Sequence, residues 1–207
     1  MHALRREDIL DPTTYDARRD EVRREVMADK NRRRLAVGDD VTLLFETQKT
    51  LWYQVQEMIR AEQIDDDKGI EHELETYNEL MPAPGELSAT MLIEYANVEE
   101  RNRRLRELVG IHDHVWLELG ETRNRASFDQ RQMETERVSS VQFIRFDLGG
   151  LSAEAWRGLA AAGSIRVAID HPKMRASAAI EGACAEALAQ DLDALEASAK
   201  AAGARPS

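Results

Sequence analysis

The sequence predicts an α+β fold in which an antiparallel or mixed sheet is covered by helices mainly on one face. Strand-like and helix-like segments are mixed irregularly along the 207 residues, whereas a parallel α/β protein alternates them strictly. Several links between predicted strands are also too short for the crossover that parallel strands need. We therefore expect one α+β domain over residues 1–195, followed by a frayed or disordered tail over 196–207.

The first third of the chain predicts a charged surface helix, a pair of short strands and an amphipathic helix. The first helix has one apolar stripe, and Thr13 or Thr14 is a natural N-cap just after Pro12. A Gly-Asp-Asp turn separates the two strands. The second helix places its leucine, valine and isoleucine residues on one arc of a helical wheel. These elements span 13–30, 32–46 and 49–63.

Two more helices and two strands are predicted in the middle of the chain. Pro82 and Pro84 end the first of these helices, and the second runs from an asparagine cap to a terminal glycine. The first strand is dense in β-compatible residues, and the second alternates apolar and polar side chains. In chain order these elements span 69–81, 88–95, 97–110 and 111–121.

The last third predicts two strands, a short helix and an alanine-rich C-terminal helix. A polar, turn-rich stretch over 122–136 comes first, in which 126–128 can add a short strand. VSSVQFIRFDLGG is the clearest strand in the sequence, and a serine-capped helix and a proline-closed strand follow it. These elements span 138–148, 152–163 and 164–172, and the last helix begins near 181.

Composition limits the classes of partner and the compartment. Lys and Arg number 28 against 39 Asp and Glu, which gives a net charge of -11 and disfavours nucleic-acid and membrane partners. The single cysteine, Cys184, excludes an intramolecular disulfide and any Cys-only zinc or iron–sulfur site within one chain. The N-terminus has no signal-like apolar core, and no run approaches the roughly 20 apolar residues of a membrane span. We expect a cytoplasmic protein.

Glu62 is the first polar residue whose position needs an explanation. On a helical wheel it falls in the middle of the apolar arc of the helix over 49–63. Two interpretations remain open. The carboxylate either reaches water past the edge of the core from the last helical turn, or it lies in a cleft where burial and neighbouring charges shift its pKa.

Other polar residues are potential companions of Glu62. Glu46, Glu94 and Arg145 each share a strand face with apolar residues, and Asp170 and His171 end a strand next to a proline. Each has a simpler explanation as a strand end or turn. If they converge, they line a pocket between the sheet and the helix that contains Trp52. The candidate pocket residues are Glu46, Glu62, Glu94, Arg145, Asp170 and His171.

A divalent metal site is a second hypothesis. His112 and His114 lie two residues apart in a predicted strand, so both rings would leave the same face, together with Glu118. Two histidines also occur at this spacing by chance. No Walker loop, dinucleotide fingerprint or nucleophile elbow is present in the sequence, and no other cofactor is predicted.

The order of segments resembles that of a bacterial family known only as a domain of unknown function. The segments that carry the likeness are RRRLAVGDDVTLLFETQKTLWYQVQEMIRAE, ELETYNELMP, LSATMLIEY, SSVQFIRFDL and VAIDHP, within residues 4–195. Such families bring no established catalytic residues to transfer. The matching polar positions are Glu46, Gln54, Glu57, Glu62, Tyr77, Asn78, Glu94, Arg145, Asp170 and His171; His112 and His114 are not part of the pattern.

The resemblance implies a function by association. The family is encoded near rubrerythrin-like proteins and iron–sulfur oxidoreductases, which implies an accessory or partner-binding component of a redox or peroxide-defence system. The expected partner is then a rubrerythrin-like or iron–sulfur protein. The alternative is a small enzyme or ligand-binding protein, with the carboxylate, arginine and histidine side chains lining the pocket under the Trp52 helix.

Overall fold

The computed structural model describes residues 3–129 and 136–203, and within these ranges it confirms the α+β class. The helices are α1 (Pro12–Arg32), α2 (Gln48–Glu62), α3 (Asp67–Asn78), α4 (Val98–Glu107), α5 (Ala153–Ala161) and α6 (Gly182–Gly203). The strands are β1 (Arg34–Val37), β2 (Val41–Phe45), β3 (Glu86–Ile93), β4 (Val115–Leu119), β5 (Thr122–Arg125), β6 (Ser127–Phe128), β7 (Val141–Asp147), β8 (Ile165–His171) and β9 (Met174–Ala179).

The strands form two antiparallel sheets. The first sheet has the order β1-β2-β3-β7-β6, and the second has the order β5-β4-β8-β9. The chain passes from the second sheet to the first at buried Ala126, between β5 and β6. At the opposite edges β1 lies against β9, where a side chain at Gly38 would come within 2.9 Å of the Cβ of Ala176. Gly38 also has a φ of 69°, which favours glycine.

The two sheets share one apolar core. Leu43 and Phe146 of the first sheet and Val115 and Ile169 of the second belong to the same buried cluster, because each strand turns alternate side chains inward. Helices α5 and α6 complete it. Trp156 of α5 is fully buried, and its Nε1 donates a hydrogen bond of 3.0 Å to a carbonyl of α6. The predicted apolar residues of α6, Leu188, Leu192 and Leu195, are buried here.

Helices α2 and α3 cover the other face of the first sheet. Leu51, Val55 and Ile59 of α2 pack with Ile70 and Leu74 of α3 in a second apolar cluster, to which Phe143 of β7 contributes. Helix α1 packs on α2 through the stripe that its periodicity predicts. The N-cap of α1 is Asp11, not a threonine, because Pro12 already occupies the first helical position and Asp11 accepts the backbone N–H of Thr14.

Two local predictions are wrong, and one strand is absent from the prediction. The segment 111–113 forms a 3-10 turn after Gly110 (φ 93°), so the strand predicted from 111 begins only at Val115. The polar segment predicted as turn forms β5, and the segment before α6 forms β9, which was not predicted. Helix α6 ends at Gly203; residues 130–135 of the predicted turn-rich stretch and 204–207 of the predicted tail lie outside the described residues. None of the helices in the described ranges is long and apolar enough to cross a membrane.

Candidate functional site

Asp170 is the centre of a polar cluster on the outer face of the second sheet. Its Oδ1 accepts a hydrogen bond from Trp116 Nε1 at 3.0 Å, and its Oδ2 accepts one from Arg123 Nη2 at 2.9 Å. His114 Nδ1 lies 3.0 Å from Oδ1. Because a carboxylate can only accept, Nδ1 of His114 carries the proton of this bond. Three residues from two chain segments, the start of β4 and β5, are thus tied to one carboxylate.

The alternation of the strands explains why these side chains point outward. Val115 and Leu117 face the core, so Trp116 and Glu118 face away from it, and β5 and β8 place Arg123 and Asp170 on the same side. The guanidinium carbon of Arg123 lies 4.3 Å from the centroid of the Trp116 ring. Its Nε is 3.3 Å from Glu118 Oε1. The two acidic side chains of this face therefore hold one arginine over one tryptophan.

The hydrogen bonds at Asp170 stabilise its charged form. Partial burial of the carboxylate raises its pKa, but the bonds from Trp116, His114 and Arg123, with the positive charge of Arg123, outweigh this effect and lower the pKa of Asp170 to about 2. Asp170 is consequently ionised at neutral pH. It acts here as an acceptor that fixes the positions of its three neighbours.

His171 is buried and has both ring nitrogens in use. The backbone N–H of Lys173 donates to Nδ1 at 3.2 Å, so the ring proton is on Nε2, which lies 3.2 Å from the carbonyl of Val109. Burial lowers the pKa of His171, which favours the same neutral form. His171 therefore stabilises the end of β8, and its ring contacts His114 edge to face at 5.1 Å.

The three proposed metal ligands have separate partners. His112 Nε2 is 3.4 Å from Asp113, His114 bonds to Asp170, and Glu118 pairs with Arg123. The prediction that these three side chains share one strand face is wrong, because residue 112 lies in the 3-10 turn and not in a strand. Among the residues with described positions, no three His, Cys, Asp or Glu side chains are placed to hold a metal ion.

Glu46 lies beneath α2, as the pocket hypothesis requires. It is 5% exposed, and its carboxylate accepts hydrogen bonds from Thr50 Oγ1 at 2.5 Å, Thr90 Oγ1 at 2.7 Å and Gln54 Nε2 at 3.2 Å. No cation in the described ranges forms an ion pair with it. Neutral donors from α2 and β3 thus satisfy this buried carboxylate.

Arg145 lies on the same sheet face but two strands away from Glu46. The backbone N–H of Glu46 donates to the carbonyl of Ser88, and Ser88 is paired with Arg145 in the β3–β7 register. Strand spacing puts Glu46 and Arg145 roughly 10 Å apart. Arg145 instead bonds to Glu86 Oε2 at 3.0 Å and to carbonyls after α3. The structure does not make these two residues an ion pair.

Glu62 and Glu94 are exposed and lie apart from this face. Glu62 is the last residue of α2 and is exposed, which matches the interpretation in which it reaches water. Its charge still acts locally: burial and then the charge of Glu62 raise the pKa of Glu73. Glu94 follows the end of β3 and lies 3.6 Å from Arg34. The six pocket candidates therefore do not converge under the Trp52 helix.

The outer side of the second sheet carries exposed arginines around this cluster. Arg125 pairs with Asp113 at 2.7 Å, Arg166 Nη2 donates to the hydroxyl of Ser177 at 2.9 Å, and Arg175 forms no ion pair in the part of the chain that is described. We name this surface the arginine face. It consists of Trp116, Glu118, Arg123, Arg125, Arg166, Asp170 and Arg175.

Sequence reasoning missed Trp116 and Arg123, the two residues that Asp170 fixes at the surface. As a large aromatic residue, Trp116 is more simply expected in a core than on a surface. The alternation of Val115, Leu117 and Leu119 already gives the opposite answer, because it turns position 116 outward. No comparable signal exists for Arg123, since it lies in a strand that was not predicted.

Comparisons with known proteins agree with the fold. A family model described as "Protein of unknown function (DUF3501)" matches residues 3–192. A crystal structure of a novel protein of unknown function from Burkholderia pseudomallei K96243 is similar, with 35% sequence identity and a TM-score of 0.83. The similarity covers 93% of this chain and 100% of that chain. A search of curated proteins returned no match.

Proposed function

We propose, from the premise that the chain belongs to the DUF3501 family, that it is an accessory protein that binds a partner protein through the arginine face. The observation that carries this proposal is the stacked pair of Trp116 and Arg123, which Asp170 holds on an exposed sheet surface.

The chemistry of this pair suits a protein interface. Tryptophan and arginine are enriched among the few residues that contribute most of the binding energy at such interfaces. Ordering a free side chain on binding costs roughly 0.5–1.5 kcal/mol. Trp116 and Arg123 are already ordered by hydrogen bonds to one carboxylate in the free protein. Binding therefore requires less additional ordering of these side chains.

The charges of the arginine face favour an acidic partner surface. The face carries four arginines against two carboxylates, while the whole chain has a net charge of -11. Both carboxylates are engaged by Arg123, which leaves Arg166 and Arg175 without a carboxylate partner among the described residues. Positive charge at an interface speeds association with an acidic surface and makes binding weaken with salt.

The resemblance of the sequence to a family encoded beside redox proteins supports a specific partner class. We propose that the partner is a rubrerythrin-like or iron–sulfur oxidoreductase, which would make this chain a component of a redox or peroxide-defence system. Burial raises the pKa of the Cys184 thiol to about 11, so this cysteine is a poor nucleophile at neutral pH. The redox centre of such a system would therefore belong to the partner.

Isothermal titration tests this function directly. The purified chain is titrated with a purified rubrerythrin-like protein and, separately, with an iron–sulfur oxidoreductase from the same host, at about 0.05 M and about 0.5 M salt. We expect saturable binding to one of them that weakens at the higher salt concentration. Absence of binding to both at either salt concentration would contradict the proposed redox role.

A further inference from the structure

A small cavity opens beside the first sheet, between the segment after α3 and strands β3, β6 and β7. Its volume is about 160 Å³, and Ser88 and Arg145 form part of its wall. We infer that this cavity binds a small organic monocarboxylate. This inference concerns a different sheet from the arginine face and does not depend on partner binding.

Ser88 provides the first argument. It is 4% exposed and lines the cavity, yet its hydroxyl makes no hydrogen bond to any residue in the ranges that the structure describes. Its oxygen is not among the buried side-chain atoms that lack a partner, so water reaches this hydroxyl through the cavity. An acceptor group of a ligand in the cavity can take the place of this water and accept the hydrogen bond of the hydroxyl.

Arg145 supplies a second donor beside Ser88. Its Nη1 donates to Glu86 Oε2 at 3.0 Å and to the Met81 carbonyl at 3.1 Å, and its Nη2 donates to the Glu79 carbonyl. Its Nε–H makes no hydrogen bond within the described residues. The bonds that Arg145 does form hold the guanidinium in place, so the unused N–H is presented from a fixed position.

The sheet register brings the two donors together. Ser88 and Arg145 are directly paired between β3 and β7, and both side chains leave the face opposite to the apolar core. Paired residues on one face of a sheet have Cβ atoms roughly 5 Å apart. A carboxylate has two oxygens that can accept from both donors, and hydrogen bonds from an arginine to a carboxylate are among the strongest in proteins.

The rest of the cavity limits the ligand. Leu80, Phe128 and Phe143 provide apolar walls, and a volume near 150 Å³ is enough for a molecule the size of benzene. Glu79 and Asp129 also border the cavity, and each already takes part in another interaction. Their presence disfavours a second negative charge. The chemical class is therefore a monocarboxylate with a short apolar chain.

Ligand-observed NMR and thermal unfolding with butyrate test this inference. Butyramide is the neutral control ligand, because it has the same shape without the charge, and succinate adds a second charge. We expect saturable binding of butyrate, and binding at least about tenfold weaker for butyramide and succinate.

Two variants test whether butyrate binds in this cavity. Ser88→Ala removes one donor with little change in volume, and we expect it to weaken butyrate binding about tenfold. Ser177→Ala on the second sheet is the matched control and should bind like the unmodified protein. Arg145 also anchors the segment after α3. Replacing it would therefore disturb the local structure as well as the binding site, and Ser88→Ala is the more specific test. Equal butyrate affinity in Ser88→Ala and the unmodified protein, or failure of every monocarboxylate from acetate to hexanoate to saturate, would overturn the inference.

Discussion

Arg123 lies over the indole ring of Trp116, with its guanidinium carbon 4.3 Å from the ring centroid, and both side chains donate hydrogen bonds to Asp170. Cation–π contacts at exposed sites contribute about 0.5–1 kcal/mol. The shared carboxylate adds directional bonds that isolated surface pairs lack. The consequence is an ordered aromatic and cationic unit on a sheet face that remains open to solvent.

The acid dependence of stability should report on Asp170. Its pKa of about 2 in the folded protein lies below the value near 3.9 of an unfolded chain. The charged form therefore stabilises the fold above about pH 4, and this contribution is lost as the pH falls towards 2. We expect Asp170→Asn to unfold at a lower urea concentration than the unmodified protein near pH 6, with the difference shrinking between about pH 4 and pH 2.

Asp20→Asn is the matched control for this experiment. Asp20 is an exposed residue of α1 whose carboxylate makes no ion pair in the described ranges. Its replacement should leave the urea midpoint almost unchanged across the same pH range. An Asp170→Asn curve that runs parallel to that of the unmodified protein down to about pH 2 would show that Asp170 is not stabilised as the hydrogen bonds indicate.

Arg33 and Asp191 form a buried ion pair between the end of α1 and α6. Arg33 Nε and Nη2 donate to the two carboxylate oxygens at 2.7 and 2.8 Å, and the side chains are only 8% and 14% exposed. Arg33→Ala leaves the carboxylate buried and unpaired, so we expect a loss of about 3–5 kcal/mol in the free energy of unfolding. Chemical denaturation measures this loss.

The double variant Arg33→Met with Asp191→Leu separates pairing from packing. Replacing both charged groups by apolar side chains removes the desolvation cost together with the attraction. We expect it to be clearly more stable than Arg33→Ala. If both variants lose the same stability, the effect of Arg33 comes from lost packing and not from an unpaired charge.

Thr50 links the start of α2 to buried Glu46. Its hydroxyl donates to Glu46 Oε2 at 2.5 Å, and its Oγ1 accepts the backbone N–H of Thr47 at 2.8 Å. We expect Thr50→Ala to destabilise the protein by about 1–3 kcal/mol, because a buried acceptor loses a donor. Thr76→Ala is the control, since Thr76 is exposed and donates only to a carbonyl of its own helix. Similar small losses in both variants would argue against a stabilising hydrogen bond from Thr50 to Glu46.

The close approach of β1 and β9 can be tested with two glycines. Gly38 and Gly85 both have positive φ, at 69° and 83°, so alanine at either position costs about 1–2 kcal/mol of backbone strain. A Cβ at Gly38 would also lie 2.9 Å from Ala176, whereas a Cβ at Gly85 meets nothing within 4 Å. Urea denaturation should therefore show a larger loss for Gly38→Ala. Equal losses would mean that the two sheet edges are not in contact there.

Local periodicity predicts most elements that have an apolar face. Helix α2 spans Gln48–Glu62 against an expected 49–63, and the strand expected over 138–148 forms as β7 over Val141–Asp147. In both cases side chains with a regular repeat pack against a large core, so sequence pattern and burial agree. Strand β9 has the segment MRASAA, which has little β-propensity. It forms because β8 offers a free edge, and this long-range pairing leaves no local signal.

Site residues were harder to predict than helices and strands. A helical wheel shows neither how deeply a side chain is buried nor which residues distant in the sequence lie beside it. The wheel places Glu62 on the apolar arc, but it cannot show that the last turn of α2 is exposed there. Glu46 directly follows β2 and bonds to the first two turns of α2, so continuing the alternation of the strand predicts its burial. His114 and Asp170 meet although they are 56 residues apart, which only the pairing of β4 with β8 determines.

The role of the arginine face in partner binding is measured most directly by titrating the redox partner with variants of that face. The unmodified chain, Trp116→Ala, Arg123→Ala and the control Arg60→Ala are compared by isothermal titration. Arg60 is exposed to a similar degree as Arg123 and pairs with Asp16 on helices outside the arginine face. We expect Trp116→Ala and Arg123→Ala to weaken binding by about tenfold or more and Arg60→Ala to have no effect. Equal affinities for all four proteins would contradict partner binding through the arginine face.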